Sequence, residues 1–155
     1  MNPEFMAKAI ALAVENARSG RGGPFGALVV RDGAIIATGV NSVTAINDPT
    51  AHAEVMAIRA ACRALGSFQL TGCDLYASCE PCPMCLGAIY WARPARVFFG
   101  ALAEDAAAAG FDDSLIYREC GLPWTQRRIP MEQGMRQEAQ AAFAAWREAA
   151  RRVQY

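Results

Sequence analysis

The sequence predicts an α/β domain in which a mixed sheet carries helices on both of its faces. An opening helix is followed by a tight hairpin, and strand-like segments then alternate with helical ones. This order is typical of a sheet that contains both antiparallel and parallel pairs. A length of 155 residues suits about one domain. We therefore expect a single domain over residues 1–155 with about five strands.

The helices are predicted from cap residues and from apolar side chains at helical spacing. Asn2 is the expected cap of the first helix, with Pro3 at the first helical position. Its expected apolar face comprises Met6, Ile10, Ala13, Val14 and Ala17. The second helix should start at Asn47-Asp48-Pro49 and stop at Gly66. Further helices are expected near residues 83–92, 104–109 and 133–153.

Five short apolar segments are predicted strands, at residues 26–31, 34–39, 73–78, 96–99 and 128–131. Asp32-Gly33 lies between the first two and is a strong signal for a two-residue hairpin turn. Because the chemistry-bearing residues described below stand at helix starts, we expect them at one edge of the sheet.

Composition favours a small neutral substrate and an apolar subunit contact. Fifteen basic residues balance fifteen acidic ones, whereas a dedicated nucleic-acid binder usually carries a basic excess. Hydrophobic residues make up 54% of the chain and charged residues 19%, so part of the apolar surface is expected to be hidden between subunits. No apolar run reaches membrane-spanning length and no secretory segment opens the chain, so we expect no membrane partner and a reducing cytoplasm.

One histidine and two cysteines form a candidate zinc site. His52 stands at the start of the second predicted helix, and Cys82 and Cys85 stand three residues apart at the start of the third. The positive end of a helix stabilises the thiolates that bind metal. One imidazole and two thiolates suit Zn²⁺, and three protein ligands leave a fourth position for water. His52 is the only histidine, so no other residue can supply the imidazole.

Other uses of the cysteines stay open at this point. A Cys-x-x-Cys pair also occurs in structural zinc sites and in redox motifs. Cys73 or Cys79 could add a fourth ligand and make the site structural. Cys62 is expected in the core of its helix, and Cys120 is expected as a free thiol in a loop.

Glu54 is the candidate acid–base residue. It follows His52 by two positions, so it cannot be an equivalent ligand on the same helix face. A carboxylate beside the metal can take a proton from water and return it to the substrate. The combination His-x-Glu and Pro-Cys-x-x-Cys is the signature of zinc-dependent nucleobase deaminases.

Longer stretches resemble bacterial guanine deaminases of the cytidine deaminase superfamily. They are GPFGA at residues 23–27, NDPTAHAE at 47–54 and SCEPCPMCLGAIYWA at 78–92. The resemblance continues through GFDDS at 110–114 to AWR at 145–147 and a terminal Tyr155, and so covers almost the whole chain. It implies a three-layer αβα fold, hydrolysis of guanine to xanthine and ammonia, and a homodimer that exchanges its C-terminal segments, here about residues 133–155.

The same resemblance implies substrate contacts. Phe25 would stack on the purine, Asn41 would hydrogen-bond its edge, and Asp113 would read or protonate the guanine-specific face. Trp91 and Tyr155 would close the pocket. Each has a structural alternative: Phe25 and Trp91 as packing aromatics, Asn41 as a strand end, and Asp113 as a helix cap.

Three other functions remain compatible with the motifs. A tRNA adenosine deaminase carries the same zinc residues but should need a basic surface. Cytosine or another aminated heterocycle is an alternative small substrate. A zinc-stabilised binding module would hold the metal without turnover.

Overall fold

The structure is a computed structural model that describes residues 1–154. In chain order the elements are α1 (Pro3–Ser19), β1 (Gly26–Arg31), β2 (Ala34–Val40), α2 (Val43–Ile46), α3 (Ala53–Leu65), β3 (Asp74–Cys79), α4 (Pro83–Ala92), β4 (Arg96–Ala101), α5 (Ala103–Ala108), α6 (Ser114–Cys120), a 3-10 helix (Trp124–Gln126) and α7 (Arg136–Glu148). Residues 1–113 form one compact unit, and a second begins at Ser114.

The first unit is built on a mixed sheet with the strand order β2-β1-β3-β4. β1 pairs antiparallel with β2 and with β3, and β3 pairs parallel with β4. Alternate residues of β1 face opposite layers, as the pleat requires: Ala27 and Val29 belong to a buried cluster with α3 and α4, whereas Leu28 and Val30 pack with α1. The predicted α/β class and mixed sheet with helices on both faces are confirmed.

The hairpin and the first helix form as predicted. Asp32 and Gly33 both have positive φ, 50° and 76°, as a type I′ turn requires. Asn2 caps α1 through its side chain, which accepts a hydrogen bond from the backbone N–H of Glu4. The buried face of α1 differs from the expected one, because its buried residues are Met6, Ala9, Ala13 and Asn16. Ile10 and Val14 are partly exposed instead.

The start of α3 differs from the prediction at Asp48-Pro49. The Asp48 carboxylate accepts hydrogen bonds from the Thr50 backbone N–H at 2.8 Å and from the Thr50 hydroxyl at 2.6 Å. Asp48 is thus engaged in a local turn and caps no helix. The helix therefore begins at Ala53 with His52 as its N-cap, and it ends at Gly66 as predicted.

Among the described residues the sheet has four strands rather than five, because residues 128–131 form no strand. The backbone N–H of Arg128 donates instead to the Glu119 carboxylate at 2.6 Å. In the same unit α6 was not predicted, and α7 is shorter than expected. It starts after Met135, whose φ is 50°, and ends where Ala149 becomes extended. None of the described helices is both long and apolar enough to cross a membrane.

Candidate active site

Two helix N-termini bring the three predicted metal ligands together. His52 is the N-cap of α3 and Cys82 is the N-cap of α4, with Cys85 in the first turn of α4. Neither cap side chain hydrogen-bonds its own helix, so both point at each other instead. The Nδ1 atom of His52 lies 3.6 Å from Sγ of Cys82 and 3.5 Å from Sγ of Cys85.

These separations fit a zinc ion. Tetrahedral geometry with Zn–S of about 2.3 Å and Zn–N of about 2.05 Å places each sulfur about 3.6 Å from the nitrogen. All three ligand atoms lie within 4.8 Å of one another. Within residues 1–154 this is the one such cluster of His, Cys, Asp or Glu, and neither Cys73 nor Cys79 joins it. Cys79 instead contacts the Leu102 carbonyl oxygen. The described side chains therefore form a cluster of three candidate ligands and not a four-ligand structural zinc site.

Hydrogen bonding within the cluster favours a thiolate. Hydrogen bonds from the Cys85 thiol and from His52 lower the pKa of Cys82 to about 4, against the opposing effect of burial. The pKa of Cys85 is raised, chiefly because its thiol donates to Cys82. The same pairing with Cys82 raises the pKa of His52. At neutral pH the cluster therefore already carries one of the anionic sulfurs that a cation needs.

Glu54 is buried beside this cluster, in the first turn of α3. Burial raises the pKa of its carboxyl group, and the charge of Cys82 acts in the same direction. The site thus contains a carboxyl group that can hold a proton next to a candidate metal centre.

The helix that carries Glu54 lies very close to β2. This approach of β2 to α3 depends on Gly39, because a Cβ there would lie 2.3 Å from the Ala53 carbonyl oxygen.

Three separate segments supply the other predicted site residues of the first unit. Phe25 precedes β1 and packs edge-on against Phe111, with ring centroids 5.0 Å apart. Asn41 follows β2, is buried, and donates its backbone N–H to the Phe25 carbonyl oxygen at 3.1 Å. Burial and the charge of Cys82 raise the pKa of Asp113, and Asp113 in turn contributes to the raised pKa of His52. Asp113 is therefore electrostatically coupled to the cluster.

The structure describes one of the two predicted lid residues, and the role of both stays a prediction. Trp91 lies on α4 and is 63% exposed. Tyr155 lies outside the described residues, so its role stays a prediction.

Sequence reasoning missed two residues of this region. Phe111 was within a motif that resembled the family but had no assigned role. Asn16 was not considered, although it lies three residues after Ala13 on the helical stripe that α1 buries. A polar residue on a buried stripe was the available signal.

Comparison with known proteins defines the family. The model of the cytidine and deoxycytidylate deaminase zinc-binding region matches residues 1–101. The guanine deaminase of Bacillus subtilis is 58% identical over 156 residues, which cover all of both chains. The chain belongs to the guanine deaminase family. The crystal structure of that Bacillus subtilis enzyme covers 100% of this chain and 99% of its own, with a TM-score of 0.97. Zinc is the family's cofactor, and the cluster of His52, Cys82 and Cys85 fits it.

Two further comparisons extend less far than this family match. A tRNA-specific adenosine deaminase of Agrobacterium fabrum is 51% identical over 78 residues, 50% of this chain and 51% of the relative. A structure solved in complex with 2,6-diaminopurine is 34% identical, covers 70% of this chain and 61% of its own, and has a TM-score of 0.67. The match to the Agrobacterium fabrum tRNA-specific adenosine deaminase therefore leaves half of this chain unmatched.

Proposed function

We propose that this chain hydrolyses guanine to xanthine and ammonia. The observation that carries the proposal is the extent of the match. Similarity to a guanine deaminase runs through all 155 residues, whereas similarity to tRNA adenosine deaminases covers 50–65% of them. A chain with equal numbers of acidic and basic residues is also better suited to a free base than to a polyanion.

His52, Cys82 and Cys85 would hold the zinc ion in this proposal. When bound, zinc lowers the pKa of a water molecule and makes that water a nucleophile at neutral pH. The separations of the three ligand atoms support this assignment.

Glu54 would move the protons. Its carboxylate takes one proton from the attacking water and delivers it to the ring nitrogen beside the carbon that bears the amine. It then transfers the second proton of that water to the amine, which leaves as ammonia while the carbon keeps the oxygen. Burial, which raises the pKa of Glu54, helps the carboxyl group to hold a proton between the two transfers.

The base would be held by the residues around the cluster. Phe25 would stack on the purine, and Asn41 would donate a hydrogen bond to its edge. Asp113 would accept from the ring N–H and the amine of guanine, or protonate that face. Trp91 and Tyr155 would exclude water from the reacting base.

A homodimer that exchanges residues 133–155, acts in the cytoplasm and serves purine breakdown completes the proposal. Apolar side chains support a subunit contact: Tyr90 of α4 is 75% exposed and Phe143 of α7 is 65% exposed. Exchange of an identical element is a low-barrier route to a dimer. On this view residues 1–155 act as one domain, completed by its partner.

Mixing two inactive subunits tests the exchange. One subunit carries Glu54→Gln with an intact tail, and the other lacks the last residues but keeps Glu54. In an exchanged dimer the first subunit completes the site of the second, so co-purified hybrids should recover activity above either parent. Hybrids no more active than the parents would contradict exchange, since a tail folded onto its own subunit completes no hybrid site.

Ammonia release across a panel of substrates tests the function. Guanine, adenine, cytosine, guanosine and a tRNA anticodon stem-loop are assayed with zinc-loaded protein, and the product is identified by mass. Guanine should be the best substrate, with xanthine as product. Faster turnover of cytosine or of the tRNA would contradict the proposal, and bound zinc without ammonia from any substrate would favour a binding module.

A further inference from the structure

Asn16 is a buried polar side chain in α1 that no step of the proposed reaction uses. It is only 2% exposed. Its Nδ2 atom donates to the Gly23 carbonyl oxygen at 2.9 Å and to the Asn41 carbonyl oxygen at 2.8 Å. Because this end of the side-chain amide faces two carbonyl oxygens, it must be the NH₂ end and not the oxygen. Both of its N–H groups are therefore committed, one to each segment.

The two segments that Asn16 joins are the loop before Phe25 and the residue after β2. They lie in direct contact, because a Cβ on Gly22 would be 2.1 Å from the Asn41 carbonyl oxygen. No side chain fits between them at this point, and hydrogen bonds connect them. Asn41 donates its backbone N–H to the Phe25 carbonyl oxygen. Asn16, on α1, donates to a carbonyl oxygen of each segment.

The side-chain amide of Asn41 has a fixed polarity. Its Oδ1 atom accepts from the Gly23 backbone N–H at 3.2 Å and, more weakly, from the Val43 N–H at 3.4 Å. Rotating the amide by half a turn would set its own N–H groups against these two donors. Within residues 1–154 no protein acceptor is seen for Nδ2 of Asn41. Because no fully buried side-chain nitrogen or oxygen lacks a partner there, Nδ2 must be accessible from outside the protein. The NH₂ group is therefore the part of Asn41 that can reach a ligand.

We propose that Asn16 is a positioning residue that holds Asn41 so that its NH₂ group faces a hydrogen-bond acceptor on the substrate. This inference rests on the proposed function, in which Asn41 contacts the base. Guanine offers such acceptors in its ring nitrogens and its carbonyl oxygen. The substrate atom opposite Asn41 is an acceptor and not an N–H, because Oδ1 is already occupied.

Loss of Asn16 should weaken substrate binding more than it slows the reaction. Without its two N–H groups, the Gly23 and Asn41 carbonyl oxygens lose their donor, and the loop can separate from the end of β2. His52, Glu54, Cys82 and Cys85 stand on α3 and α4, which Asn16 does not contact through these bonds. We expect KM to rise about tenfold, the size of effect that follows from one impaired hydrogen bond. Turnover at saturation should stay within about twofold, and zinc should be retained.

The test is a double-mutant cycle with a control on the same helix. KM, kcat, zinc content and Tm are measured for Asn16→Ala, Asn41→Ala and the double variant. Asn2→Ala serves as the control, because Asn2 caps α1 and its loss should lower Tm without changing KM. Asn16→Ala should raise KM about tenfold in the wild-type background and less than twofold in the Asn41→Ala background. If Asn16→Ala does not fold, Asn16→Ser, which keeps one donor, is carried through the same cycle.

Two results would overturn the positioning role. One is an unchanged KM in a folded Asn16 variant. The other is the same factor in both backgrounds, which would mean that Asn16 stabilises the fold without acting through Asn41. The variants are assayed with guanine and also with the base that the wild-type protein turns over fastest. Failure to deaminate guanine then counts against the proposed function alone, while the KM pattern decides the role of Asn16.

Discussion

The proposed metal-binding region and the proposed rim of the substrate pocket, which comprises Phe25, Asn41 and Asp113, are built in different ways. The first uses two helix N-termini, with His52 and Glu54 on α3 and Cys82 and Cys85 on α4. The rim uses separate segments joined by long-range contacts: Asn41 bonds to Phe25 through the backbone. The candidate metal ligands thus come from two short motifs, whereas Phe25 and Asn41 of the rim each have a partner distant in sequence.

The relatives also match some parts of this chain more widely than others. The zinc-binding family model covers residues 1–101, which contain the candidate metal ligands and also Phe25 and Asn41, but not Asp113. Relatives named for tRNA adenosine deamination match 50–62% of the chain. We therefore propose that the metal-binding region sets the reaction type and that Asp113 of the rim contributes to the choice of base.

The largest expected effect comes from the metal ligands. Cys82→Ser and Cys85→Ser should each lose zinc and reduce ammonia release to the assay background, because a hydroxyl replaces a thiolate ligand. Metal content and ammonia release check this. Cys120→Ser is the matched control, because Cys120 is exposed and lies in the second unit, and it should keep both zinc and activity. Full zinc content in either ligand variant would contradict the three-ligand assignment.

The next largest effect is expected at Glu54. Glu54→Gln removes the proton carrier but not a ligand, so zinc should remain while kcat falls by roughly 10²–10⁴-fold. Glu15→Gln, on the exposed side of α1, should change kcat less than twofold. A loss below tenfold in zinc-replete Glu54→Gln would remove Glu54 from the mechanism.

A smaller effect is expected at Asp113 of the rim. Asp113→Asn replaces one acceptor oxygen by a donor, and the new N–H would meet the N–H groups of guanine. We expect kcat/KM for guanine to fall by about 10–10²-fold, in the range that a lost charged hydrogen bond produces. Asp112→Asn makes the same change one residue earlier and should stay within about threefold. Equal losses in the two variants would point to the loop as a whole and not to the Asp113 carboxylate.

Sequence reasoning recovered the features that rest on local signals. Asn2 and Pro3 start α1, Asp32-Gly33 makes the hairpin, and the three metal ligands lie together as their motifs predict. The first two features depend on residues near one another in sequence. The third depends on two short motifs, His-x-Glu and Pro-Cys-x-x-Cys, that are known to occur together. The α/β class followed from the order of such elements.

The predictions failed where distant or competing contacts decide. Asp48 was predicted to cap a helix, but its carboxylate accepts hydrogen bonds from Thr50, and α3 begins only at Ala53. Residues 128–131 looked like a strand, but the Arg128 N–H bonds to Glu119. The contacts of Asn16 could not be predicted from the sequence, because its partners are backbone carbonyl oxygens 7 and 25 residues away, which any residue type can supply. A polar residue on the buried face of α1 was the one available signal.

The guanine-to-adenine selectivity of matched variants tests the division between the two regions most directly. The ratio of kcat/KM for the two bases is measured in zinc-replete wild type, Glu54→Asp and Asp113→Asn. The account predicts that wild type prefers guanine, that Glu54→Asp slows both bases by the same factor within about threefold, and that Asp113→Asn lowers the ratio by at least about tenfold. A ratio that changes in Glu54→Asp but not in Asp113→Asn would contradict it.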